Sequence, residues 1–265
     1  MPGTILVREA LRRVSKLLQD ISPQFVKYPE QEAVDALNDA HLAIAKYLPL
    51  ASSRVDAVKL APGTQQSIET ILAANCKPGD GSVPAAPIYG VNLLGVRRNM
   101  GADGLTPGRV VRVVDQEVLD AQDADWHLPA RAKTAVQVYT YDPLTPLYFS
   151  VSPPVHVSTA VWVTLAYNAQ PIRIPNTGTP GAELYLADGS STATIQIRDE
   201  YIDDLVNYVV ARANMKDAEW ADGNKATYFA NLFLGSLNAK VQVATGTNPN
   251  LKRLPMAPEP IGAAS

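Results

Sequence analysis

The sequence predicts an α+β fold: a helical bundle built from an N-terminal and a C-terminal helix pair, an inserted, mainly antiparallel β domain, and an extended C-terminal tail. Three observations predict it. Apolar residues recur at three- and four-residue steps near both ends of the chain, which is helical spacing. Between them the period changes to two, with Val, Thr, Tyr and Trp alternating with polar residues, as in strands. Prolines crowd the final stretch and forbid a helix there. The resulting boundaries are 1–50 with 198–244 for the bundle, 51–197 for the β-rich insertion and 245–265 for the tail.

Residues 4–21 form the first predicted helix, with Thr4 as its cap and Pro23 preventing continuation. Pro29 opens the second, at a position where a missing N–H costs nothing. Its apolar face is Ala33, Val34, Leu37, Ala40, His41, Ile44 and Leu48, and Pro49 closes it. Residues 54–60 read as a strand, followed by the turn Ala61-Pro62-Gly63. Residues 77–108 hold too many turn formers for a long helix, with a strand candidate at 88–96. Residues 110–125 begin apolar and become acidic, as a solvated segment does.

Strand patterns follow at 134–141, 147–151 and 155–167, broken at Asp142-Pro143, Pro146 and Pro153-Pro154. Residues 166–174, 184–186 and 194–197 are expected to extend the sheet into a small sandwich or barrel. Residues 198–241 then read as an αα-hairpin. Asp199 is expected to cap its first helix, whose face is Ile202, Leu205, Val206, Val209, Val210 and Ala213. Asp222-Gly223-Asn224 is the break, with Gly and Asn suited to a left-handed helix end. Tyr228, Phe229, Leu232, Phe233, Leu237 and Val241 form the face of the second helix. All four helices are amphipathic and are expected to share one bundle.

Composition narrows the function. The chain has 265 residues, 46% hydrophobic and 18% charged, enough for one large domain or two smaller ones. A net charge of −3 argues against nucleic-acid binding by bulk positive charge. Cys76 is the only cysteine, which excludes an intrachain disulfide and a Cys-based zinc cluster, and reads as a packing residue. No run of ~18 apolar residues is present to span a bilayer, and no secretory signal pattern opens the chain. Residence in the cytoplasm is the default expectation.

Motifs for catalysis are missing. His41, His127 and His156 stand far apart, and neither a GxSxG elbow nor HExxH is present. The glycine-rich region lacks both phosphate-loop patterns, and the acidic segment lacks the EF-hand register. No catalytic, cofactor or metal site is therefore expected, and the chain reads as a non-enzyme. Trp126, Trp162 and Tyr167 are stacking candidates for a carbohydrate-binding sandwich, against the plainer reading of core packing. In the tail, Leu251, Leu254, Met256 and Ile261 are spaced apolar anchors, and Lys252-Arg253 favour an acidic partner. Extended segments of this kind dock on a partner's groove or sheet edge.

Four stretches carry a resemblance: PGTQQSI at 62–68, RNMGADGLTPGRVVRVVDQEVLDAQDADWH at 98–127, YDPLTPLYFSVSPPV at 141–155 and LVNYVVARANMKDAEW at 205–220. They resemble a family of tailed-bacteriophage head-to-tail adaptor, or connector, proteins, similar in role to the tail tubular protein A of short-tailed phages. The likeness implies a structural virion protein at the portal vertex, assembled in the host cytoplasm. It implies a homo-oligomeric ring, usually of twelve copies, that docks under the portal protein, extends the DNA channel for genome ejection and gives a tail or nozzle protein its platform. Double-stranded DNA would pass without specific binding, and no membrane is involved. On that reading Asn250, Leu251, Lys252, Arg253, Leu254, Pro255, Met256 and Ile261 bind the portal, and Asp115, Glu117, Asp120, Asp123 and Asp125 are candidates for repelling DNA along the channel. A virion decoration or carbohydrate-binding protein is the alternative, and a virion hydrolase the third class.

Overall fold

The computed structural model describes residues 3–20, 27–79, 84, 86–176, 185–186, 191–216, 219 and 221–246. The chain is α+β and divides into two compact units. One contains residues 49–174 and 196–198 with the first three residues; the other contains 4–48, 175–195 and 199–265.

The first unit is a two-sheet sandwich. Its strands are β1 Ser53–Lys59, β2 Gly63–Ser67, β3 Cys76–Pro78, β4 Gly90–Met100, β5 Pro107–Val110, β6 Arg112–Val113, β7 Val138–Tyr141, β8 Tyr148–Val155 and β9 Trp162–Ala169. One sheet has the order β3-β1-β9-β4-β5 and the other β2-β8-β7-β6. All pairings are antiparallel except β6 with β7. Val58, Leu93, Val96, Val163 and Leu165 from the first sheet meet Phe149, Val151 and Val155 from the second in one buried core. Two half-apolar sheets bury their inner faces against each other in this way. The central strand β9 is buried along nearly its whole length.

Several expected boundaries move. The strand expected at 88–96 runs to Met100. At Gly90 a side chain would run into the Ile68 carbonyl, so glycine is required for the close approach. The expected strand at 134–141 is regular only from Val138. The one expected at 155–167 begins at Trp162, because residues 156–160 form a solvated turn. Pro153-Pro154 does not end β8: the Ser152–Pro153 bond is cis, and the Pro154 carbonyl still accepts from the Lys133 N–H at 2.9 Å. The acidic segment holds a short helix, α3 Gln116–Gln122, started by Asp115 as its cap.

The second unit contains α1 Val7–Leu18, α2 Glu30–Tyr47, α4 Ile202–Asn214 and α5 Gly223–Gly246. Helix α4 packs against α1, α2 and α5 and is buried around most of its circumference. A helix covered by three neighbours belongs in the middle of a bundle. The predicted face of α2 is buried at every position from Ala33 to Leu48. Thr4 does not cap α1 and Asp199 does not cap α4. Instead Asp199 accepts from the Thr4 N–H at 2.8 Å and the Ile5 N–H at 3.1 Å, clasping the chain start to the entry of α4. Residues 194–195 join that clasp: Thr194 bridges Leu6 and the Ile195 N–H reaches the Ile5 carbonyl at 3.0 Å, so they do not extend the sheet. Residues 170–174 are irregular. Asp222-Gly223-Asn224 is a helix start: Asp222 accepts from the N–H of Asn224 at 2.9 Å and of Lys225 at 3.3 Å. Helix α4 has already ended at Asn214.

Candidate functional site

Several buried polar groups have defined partners. In the sandwich, Arg54 Nε donates to Asp56 Oδ2 at 2.9 Å, and Tyr167 from β9 donates to the same oxygen at 2.8 Å. Burial pushes the Cys76 thiol up to about 12, so it stays a neutral packing group beside them. In the bundle, Asp204 is 1% exposed and accepts from Lys240 of α5. Lys240 Nζ also donates to the Glu200 carbonyl at 2.9 Å and lies 4.7 Å from the Tyr201 ring centre. His41 is fully enclosed on α2. Its Nδ1 donates to the Leu37 carbonyl at 2.7 Å, and burial holds its pKa down at about 4. It is a packing histidine, neutral at pH 7. Among the described residues, no group of three or more His, Cys, Asp or Glu is placed to hold a metal ion. No described helix is long and apolar enough to cross a membrane.

The aromatic stacking candidates are core residues. Trp126, Trp162 and Tyr167 are all buried. Trp126 Nε1 donates to Asp120 at 2.7 Å, and its ring meets His127 edge-on at 5.9 Å. None of them offers a ring face to a sugar.

The five acidic candidates lie together around α3, with Asp123 half-buried and the other four exposed. Three have local tasks. Asp115 caps the helix, Asp120 anchors Trp126, and Asp123 pairs with Arg131 and accepts from the Asp125 N–H at 3.2 Å. Glu117 and Asp125 point to solvent with no ion pair among the described residues. The eight tail residues from Asn250 to Ile261 lie outside the described residues.

Two features escaped the sequence reading. The first is the outer face of α5. Ala226, Phe233 and Leu237 are buried against the bundle, but Tyr228, Leu232, Leu234 and Val243 are exposed, Tyr228 by 60% and Val243 by 63%. Tyr228 and Leu232, expected in the core, are therefore surface residues. Beside this helix, Ala43, Tyr47, Met215, Phe233 and Leu234, with Lys46 and Arg212, line a groove of about 360 Å³. Only Lys225 and Lys240 carry charge on α5. An apolar, weakly charged surface of this kind marks a contact site. The second feature is a set of exposed arginines, Arg97, Arg98, Arg109 and Arg112, on β4, β5 and β6. Its signal in the sequence was the Arg97-Arg98 pair inside an otherwise alternating strand.

A second groove, of about 340 Å³, runs between α2 and α4. Glu32, Asp35 and Asp39 on one wall face Arg212 and Lys216 on the other; Arg212 pairs with Asp39 at 3.7 Å, and Lys216 with Glu32. It is a self-neutralised seam, with no nucleophile and base set for chemistry. No curated protein matches the chain. A family model does: the one described as SU10 adaptor protein matches residues 6–253.

Proposed function

Because this chain belongs to the SU10 adaptor protein family, a family of phage structural adaptors and not a class of enzymes, we propose that it forms the ring between head and tail. In this reading, similar in role to tail tubular protein A, copies assemble in a ring of about twelve and dock under the portal. The ring extends the DNA channel and gives a tail or nozzle protein its platform. The family match across both units carries the proposal. The exposed apolar face of α5 supports it, because a structural ring protein needs surfaces that stay uncovered until it assembles.

The test is to mix the purified chain with the phage's portal and image the product by electron microscopy. A ring stacked on the portal is expected, and counting gives its stoichiometry. A folded chain that never associates overturns the reading. The tail has a separate role in the proposal. Deleting residues 248–265 should abolish portal binding while the thermal transition of the rest persists; undiminished binding would remove the tail from the interface. The repulsive lining is tested best at Glu117 and Asp125, because Asp115, Asp120 and Asp123 also hold the fold. Changing those two to Gln and Asn should alter DNA ejection, and unaltered ejection counts against an acidic lining.

A further inference from the structure

We propose that the arginine-bearing edge of the sandwich is one half of the contact between neighbouring copies of this chain, and that the acidic segment around α3 of the next copy is the other half. The inference rests on the ring reading, names the surfaces that would close it, and takes Glu117 and Asp125 as contact residues in place of channel lining.

The arginines are grouped by strand register. Val96 of β4 pairs with Leu165 of β9, but Arg98 pairs with Thr164, so β4 carries one extra residue there. Such a bulge turns two successive side chains to the same side. Accordingly Val96 and Asn99 are buried, while Arg97 and Arg98 between them are exposed. Asn99 locks the bulge: its side chain donates to the Val136 carbonyl at 2.7 Å and accepts from the Val136 N–H at 2.8 Å. Arg98 lies opposite Val110 of β5, and the two-residue step carries that side on to Arg112 of β6. Arg109 is exposed on the same edge strand. Val110 and Val113, 64% and 65% exposed, stand among them. Among the described residues none of the four arginines has an ion pair. Arginine mixed with apolar side chains is the composition enriched at protein interfaces, and its fork matches carboxylates.

The acidic half leads to the other edge. β6 and β2 are the two edges of the four-stranded sheet. The chain leaves β6, forms α3 and reaches β2, where Thr64 donates to the His127 carbonyl at 3.2 Å. Asp125 is therefore near the β2 edge, where Glu69 also stands exposed and accepts from Tyr148 at 3.2 Å. The arginines stand on the β5–β6 side, and Asp125 and Glu69 stand near the β2 edge. Head-to-tail contacts of this kind join different surfaces on each copy and close into a ring by rotation. Spaced carboxylates on a protein fit the arginines better than a uniform polyanion does, because Asp103 and Asp115 border them. Asp103 is held near 2 by bonds from the backbone of Leu105 and Thr106 and from the Thr106 hydroxyl, so it is ionised.

The test uses two full-length variants, one with R97E, R98E and R112E, the other with E117R and D125R. The first then sets acid against the acidic segment, and the second sets two new arginines against the arginine-bearing edge. Alone, each should lose ring formation by about tenfold or more at low salt, as like charges meet. Mixed in equal amounts they should recover it, as alternating rings, by mass photometry and electron microscopy with the portal present. Thermal melting verifies that both fold. Variants that assemble alone like the native chain overturn the contact and leave the adaptor reading standing. A mixture of folded variants that stays unassembled also overturns it. Intact rings with loss of duplex DNA binding in the arginine variant would reassign the edge to nucleic acid. A native chain that makes no ring even on the portal overturns the adaptor reading, and this contact with it.

Discussion

Helices α4 and α5 face each other across a hairpin, yet they are opposite kinds of helix. α4 is enclosed by three neighbours and buried on nearly every side. α5 is longer and almost as apolar, but its buried strip is Ala226, Phe233 and Leu237 and much of its remaining apolar surface faces water. The difference teaches that hydrophobic periodicity reports where apolar surface lies, not what covers it. On α4 the covering is internal; on α5 part of it remains to be supplied.

The sharpest way to break the comparison is at the link between the two helices. Lys240→Met leaves Asp204 buried without its cation, which should cost roughly 3 kcal/mol or more in urea unfolding. Adding Asp204→Leu should recover most of the loss; no recovery would mean that the pair does more than neutralise itself. Next, Leu205→Ala in α4 should cost about 3 kcal/mol by cavity formation. Leu234→Ser in α5 should change stability by less than about 0.5 kcal/mol but weaken assembly. Equal costs would make α5 a core helix after all.

The pH dependence of the bundle sharpens the enclosed side. His41 has a folded pKa near 4, below its ordinary value of 6.5. The unfolded chain therefore binds more protons between those values. The stabilisation is fully present above about pH 6.5 and is lost as pH falls toward 4, by up to roughly 3 kcal/mol. His41→Gln should flatten that slope in thermal melts between pH 4 and 7. A modest effect belongs to the start of α5: Asp222→Ala removes its cap and should cost about 1 kcal/mol.

Much of the fold was legible, for identifiable reasons. The α2 face could be read because one stripe faces one core. The sandwich could be read from period-two alternation. Misreadings came where a polar side chain had two possible partners. Asp199 precedes a helix, as a cap would, but was claimed by Thr4 and Ile5 from the far end of the chain. Asp222 served the helix after it, not the one before. The acidic segment showed its charge but hid its structure, since a helix of seven residues leaves little periodic signal. Of the candidate surfaces, the bulge that pairs Arg97 with Arg98 depends on strand register, which no local pattern fixes.

The order of the chain gives α4's central place a consequence in time. α1 and α2 leave the ribosome first, but they touch each other little, and both lie against α4. About 150 residues, the whole β insertion, are translated before α4 appears, roughly ten to thirty seconds at ordinary elongation rates. Leu11, Val14, Leu37 and Ile44 are without their final partner during that interval. The sandwich, contiguous in the chain, can fold on emergence, whereas the bundle closes last. Nascent-chain proteolysis should find residues 7–47 cleavable until the hairpin has been released.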